Sequence, residues 1–228
     1  MCFSAGVSFG ASAVIGVISV VSFKKATDSS HAVLAGIPLF FAIQQAIEGF
    51  LWLSLQNPAF GYLYPPSTYA FLALALVVWP TMIPLMAMLP EPDARRKKIL
   101  RLLMAAGLLV SLFHLFCLAY YGASASAQQH HIRYEFHFPN ELLYISSVIY
   151  FVPALIPPFV SSHGSVRWIG VGLIVSYVFS WLFFHYQIIS VWCFFATIIS
   201  IIALYAIMQL NKQRSGPANE TSPARLNN

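Results

Sequence analysis

Residues 95–121, RRKKILRLLMAAGLLVSLFHLFCLAYY, decide the fold class. Five basic side chains crowd the first seven positions, and after Arg101 no Asp, Glu, Lys or Arg occurs through Tyr121. A helix that crosses a hydrocarbon core needs about 20 mostly apolar residues, because each residue rises about 1.5 Å. Six further stretches have the same character. The spacing predicts spans at 5–23, 31–53, 67–89, 98–121, 141–160, 168–184 and 189–210. The expected fold is therefore all-α, an integral membrane bundle of seven transmembrane helices.

Composition supports this reading. Of 228 residues, 59% are hydrophobic and 8% charged, against about 25% charged in soluble domains. A soluble globular protein, a disordered chain and a disulfide-stapled secreted module are excluded. The loops leave no room for a soluble domain. The sixth stretch is the shortest, merging into a tight turn at Phe183, Phe184, His185 and Tyr186. A six-span variant would make the last two stretches one re-entrant hairpin. Residues 211–228, rich in Asn, Ser and Pro, read as a disordered tail. The N-terminus lacks the basic region and small-residue cleavage site of a signal peptide.

Charge orients the bundle. Lys and Arg accumulate on the side that is not translocated. Lys24 and Lys25 follow the first span; Arg95, Arg96, Lys97, Lys98 and Arg101 follow the third. Arg167 follows the fifth, and Lys212, Arg214 and Arg225 follow the seventh. In a seven-span chain these share one side, and Arg133 alone falls on the other. The expectation is an N-terminus outside, a C-terminus in the cytoplasm and residence in the plasma (inner) membrane. The net charge of +5 then reflects topology, with attraction of the 95–101 cluster to anionic headgroups. No aromatic-interleaved basic surface points to nucleic acid.

Within lipid, close backbone approach and polar contacts drive helix association. In the first span, Gly6 and Gly10 have GxxxG spacing, and Ser4, Ser8, Ser12, Ser19 and Ser22 form a stripe, both read as a packing face. Ser190, Cys193, Thr197 and Ser200 form a similar stripe in the seventh. Pro38, Pro80, Pro84, Pro153, Pro157 and Pro158 lie inside spans, where each removes a backbone donor and kinks are expected.

Ionisable groups inside spans are costly and informative. Glu48 lies in Gln44-Gln45-Ala46-Ile47-Glu48-Gly49-Phe50-Leu51-Trp52. Gln44, Glu48 and Trp52 recur every fourth residue and share a face, with Gln45 about 100° around the helix. Such a face must turn into the bundle, either as a hydrogen-bonded packing element or as a ligand, ion or proton site. His114, between Ser111 and Cys117, and His185, beside Tyr186 and Gln187, join it in the outer half. His130, His131, Glu135, His137 and Glu141 crowd the outer loop, whereas the inner side holds His31 and His163. Imidazole, thiolate and carboxylate thus gather on one face, a donor set suited to a transition metal or, through two His, to haem. No HxxxH, HExxH, CxxC or CxxCH spacing accompanies them. The predicted ligand-binding set is Gln44, Gln45, Glu48, Trp52, His114 and His185, and the metal set Glu48, His114, His185 and Cys193. Cys2, Cys117 and Cys193 read as small hydrophobes, or Cys2–Cys193 as a disulfide in an oxidising compartment.

Three motifs, Met1-Cys2-Phe3-Ser4-Ala5, Gln44 to Gly49 and Ser190-Val191-Trp192-Cys193-Phe194-Phe195, resemble those of a family of small uncharacterised bacterial multi-pass membrane proteins. The resemblance implies location and topology and carries no chemistry. Seven spans with an intramembrane His and acid are also similar in outline to the ceramidase and progestin-receptor-like zinc amidases. Those need a His pair on the last helix and a His–Asp pair earlier, and here the last span has no His and no span an Asp. A microbial rhodopsin is unsuitable too, since no Lys lies in the seventh span.

Three functions stay open. The first is a membrane-embedded ligand-, metal- or haem-binding protein with its site in the outer half. The second is a small proton-coupled transporter in which Glu48 titrates. The third is a metal-dependent membrane hydrolase with Glu48 as base. The bilayer is the expected partner.

Overall fold

The computed structural model describes residues 4–128, 131–183 and 195–215. Helix α1 (Ala5–Lys25) starts where Ser4 Oγ accepts a hydrogen bond from the Val7 amide, and α2 (Ser29–Gln56) where the Asp28 side chain accepts one from His31. Both are side-chain caps that satisfy otherwise orphaned amides. A third helical column follows, made of a 3-10 turn (Pro58–Leu63), α3 (Tyr64–Ala73), a π-helical segment (Leu74–Val78) and α4 (Trp79–Met88). Capped by Asp93, α5 (Ala94–Tyr120) begins four residues before the predicted span. Hydropathy had excluded its basic first turn, but the cap includes it. Gly122, at φ 80°, then turns the chain away in the left-handed conformation that glycine adopts freely.

The loop that follows corrects the all-α expectation. Ala123–Gln128 (β1) and His131–Phe136 (β2) form an antiparallel hairpin, with Ala125 opposite Tyr134 and Ala127 opposite Ile132. The period-2 pattern was present in both segments. Ala123, Ala125, Ile132 and Tyr134 turn inward, and Tyr134 stacks on Phe71 of α3 at 4.8 Å. Tyr64 pins the strand from α3, accepting from the Ala125 amide at 2.8 Å and donating to its carbonyl at 3.0 Å. The hairpin thus caps one end of the helices.

Next come α6 (Asn140–Leu155), a short α7 (Pro157–Val160), α8 (Gly164–Phe183) and α9 (Ala196–Ser215). Pro157 and Pro158 break the predicted fifth span after Ile156, because neither carries an amide hydrogen. Residues 211–215 of the expected tail are helical, and the rest of it lies outside the described residues. Helix α9 continues to Ser215, and Asn211 is ordered by its side chain, which donates to the Lys25 carbonyl at 2.8 Å. Among the described residues, six columns are long and apolar enough to cross a membrane, α9 being a shorter apolar helix beside them. Helix α9 is described from Ala196 onward, so the start of the predicted 189–210 span lies outside the described residues. The chain is compatible with a multi-pass membrane protein.

Helix α1 packs along α2, and α9 packs on both; α5 packs on α4 and α6. The serine stripe packs inward, with Ser8, Ser19 and Ser22 buried and Ser12 Oγ donating to the Ala42 carbonyl at 2.8 Å. Gly6 and Gly10 do not take part. Both are exposed, and nothing lies within 4 Å of a Cβ built at Gly10. Small size permits close approach without compelling it, and here serine hydroxyls form the contact. Closest approach occurs elsewhere: a Cβ on Gly107 of α5 would lie 2.0 Å from the Pro80 carbonyl oxygen of α4.

At the end opposite the hairpin, loops are tied together. Ser30 Oγ donates to the Leu89 carbonyl, His163 Nε2 to that of Pro90, and Arg96 Nη1 to that of Val160. Lys24, Lys25, the 95–101 cluster, Arg167 and Lys212 gather at this end, and Arg133 lies in the hairpin at the other.

Candidate functional site

Two apolar layers meet along α2. Leu34, Ala35, Ile37, Phe41 and Ala42 belong to a core shared with Ile15, Trp79 and Ile199. Leu51 and Trp52 belong to a second core with Phe71, Cys117 and Tyr134 beneath the hairpin. Between these layers stand Gln44, Gln45 and Glu48, each no more than 2% exposed. Spacing puts them on adjoining faces of the helix, and its neighbours on three sides close over them.

The polar layer is held from the third column and from α1. Trp79 Nε1 donates to Gln44 Oε1 at 3.0 Å, while its ring packs on Phe41 with centroids 4.3 Å apart. Gln45 Nε2 faces Glu48 Oε2 at 3.5 Å, a long contact. Phe9 of α1 lies over Gly49, where a Cβ would come within 2.7 Å of the ring. Glycine next to Glu48 therefore lets α1 press onto the layer. One turn further along, Trp52 Nε1 is buried and meets no acceptor among the described residues. A buried donor without a partner costs about 1–3 kcal/mol, so the indole end of Trp52 is suited to water.

His114 belongs to a different neighbourhood. Its Nδ1 donates to the Val110 carbonyl of its own helix at 2.9 Å, and Phe113 and Tyr150 meet the ring edge-on. With Nδ1 carrying the hydrogen, the neutral ring keeps its lone pair on Nε2. Around it, Tyr150 donates to the Ala75 carbonyl at 2.7 Å and Ser111 to that of Val77 at 2.6 Å. Those carbonyls belong to the π segment, and Pro80 has no amide to offer that of Ala75, five residues before it. The third column thus packs against both α2 and α5, receiving Gln44 through Trp79 and the His114 neighbourhood through its carbonyls.

The structure brings Gln44, Gln45, Glu48 and Trp52 together as the four-residue spacing requires. Among the described residues no group of three or more His, Cys, Asp or Glu is placed to hold a metal ion. His185 and Cys193, two of the four predicted metal ligands, lie outside the described residues, as do Cys2 and His130. Cys117 is free and buried in the apolar layer under the hairpin. In that hairpin His137 Nε2 pairs with Ser124 Oγ at 3.3 Å, and Arg133 pairs with Glu135 at 3.1 Å.

Two functional candidates escaped the sequence reading. Trp79 carries no periodic signal in the sequence, since an aromatic residue before Pro80 in an apolar span has the character of its neighbours. Glu91 was hidden because it sits in a loop between Pro90 and Pro92, yet it is only 2% exposed. It accepts from the Ser162 amide at 2.7 Å and from the Asp93 amide at 3.2 Å. Burial alone would raise its pKa, but these backbone donors, with the Ser161 and Ser162 side chains, outweigh it and hold the carboxyl below its ordinary value.

Residues 1–220 match a family of unknown function (DUF6629), and the chain belongs to that family. No curated protein and no solved structure matches it.

Proposed function

We propose that this chain is a multi-pass protein of the plasma membrane that binds a small cation, organic or metallic, at Glu48 in the outer half of its bundle. The observation that carries this reading is a fully buried carboxylate in a layer of amides between two apolar cores. An ionised carboxylate at that depth requires a partner charge or several donors. Gln45 faces the carboxylate from the same helix, and a cation bound beside it would add an opposite charge to the layer. The N-terminus is outside and the C-terminus cytoplasmic, which puts the basic end of the bundle on the side favoured by Lys and Arg.

The experiment is thermal unfolding of the purified full-length protein in detergent, with and without Zn²⁺, Cu²⁺, haemin or choline as probes. A ligand at a hundred times its Kd stabilises by about 2.7 kcal/mol. At least one cation is expected to raise the midpoint of the wild type and not that of Glu48→Gln. If none does, or if both proteins respond alike, the reading fails. For orientation, an impermeant thiol reagent is expected to label Cys2 and Cys193 from outside or find them joined; labelling from the cytoplasm alone reverses the topology.

A further inference from the structure

Helix α5 carries a single exposed face from end to end. Leu102, Leu109, Leu112, Phe116 and Tyr120 are each more than half exposed along it. Arg95, Lys98 and Arg101 continue that face at its start. From Arg101 to Tyr120 the helix rises about 28 Å, close to the roughly 30 Å of a hydrocarbon core. With Tyr120 at one interface, Arg101 reaches the other, and Lys98 and Arg95 lie in the headgroup layer beyond it.

The charges there run against local preference. The first turns of a helix carry the positive end of its dipole and favour acids, yet beyond its Asp93 cap α5 has no acid in its first turn. Arg96 and Arg167 are absorbed by the carbonyls of Val160 and Ser161. By contrast, Arg95, Lys98 and Arg101 make no ion pair with any described residue. Three exposed cations at the positive end of a dipole, at headgroup depth and with no ion pair among the described residues, are placed to meet anionic headgroups of the bilayer.

We infer that Arg95, Lys98 and Arg101 form a binding face for the phosphates of anionic lipid headgroups. Resting on the membrane reading but not on the Glu48 site, the face selects charged lipids around α5 and anchors its depth. Arginine supplies paired donors to phosphate oxygens, and Lys98 between them adds a point charge.

The test uses full-length protein in phosphatidylcholine vesicles with a trace of spin-labelled phosphatidylglycerol or spin-labelled phosphatidylcholine. Electron spin resonance reads the fraction of each label immobilised at the protein. The wild type is expected to prefer phosphatidylglycerol about fivefold, the attraction of about one basic residue near a surface. In Arg95→Gln/Lys98→Gln/Arg101→Gln the preference is expected to fall to about one. Arg95→Lys/Arg101→Lys, which keeps the charge, is expected to retain most of it. Removing Lys24 and Lys25 instead is expected to cost less than half. No preference in the wild type overturns the inference, as does a preference that survives the triple variant or is lost more through Lys24 and Lys25. A protein that alkaline carbonate strips from membranes would overturn this inference and the membrane reading together, whereas loss of preference alone leaves the Glu48 reading intact.

Discussion

Among the described residues two carboxylates are buried, and they are held in opposite ways. Glu91 sits in a loop and accepts from backbone amides of two different connections, Asp93 before α5 and Ser162 before α8. Glu48 sits within a helix and has side-chain amides beside it. Backbone donors come with the fold and do not depart while it persists. Side-chain donors can turn away and give place to another partner. The first arrangement suits a latch between loops, the second a site.

The comparison is broken most directly at Glu91. Glu91→Ala should cost about 2–4 kcal/mol, since hydrogen bonds to a charged group contribute about 1.5–3 kcal/mol each and the two amides are left buried. Thermal or denaturant unfolding in detergent measures it, and a loss below about 1 kcal/mol would mean that the loops hold without the latch. Acid should act through the same group. The folded protein holds the Glu91 carboxyl below its ordinary value, so its stabilisation is fully present above the unfolded pKa of about 4.3. It is lost as pH falls through the lower folded value. Unfolding midpoints measured from pH 7 downward should therefore decline below about pH 4, and less steeply in Glu91→Gln.

At the other carboxylate the effects on stability should be smaller. Trp79→Phe removes the donor to Gln44 and is expected to cost about 1–2 kcal/mol. Glu48→Gln replaces the buried carboxyl by an amide of the same shape, and stability should change by less than about 1 kcal/mol in either direction. A loss of about 3 kcal/mol or more would make Glu48 a second latch and erase the contrast.

Much of this was legible in the residues. Apolar length placed the helical columns, because lipid leaves the backbone few alternatives to a helix. The recurrence of Gln44, Glu48 and Trp52 announced a shared buried face, because helical period converts spacing into direction. What remained hidden depended on contacts between distant segments. The hairpin's alternation is short and built largely of alanine and serine, and its inner face is recognisable only once Phe71 and Tyr64 are beneath it. Glu91 had no periodicity to betray it; its burial follows from Ser162, some seventy positions away. Nor could GxxxG spacing say that Gly6 and Gly10 would face outward, since the serines of the same helix compete for the interface.

The π segment in the third column has a consequence for aim. One added residue per wide turn advances everything after it by about 100° around the axis, with little change along it. Upstream, Phe71 faces the hairpin; downstream, Trp79 faces Gln44. The insertion acts as a phase shifter that lets one continuous column address two partners in different directions. Excising a single residue from Leu74–Val78 would rewind that offset and swing the indole away from α2, leaving the helix intact and the polar layer without its donor.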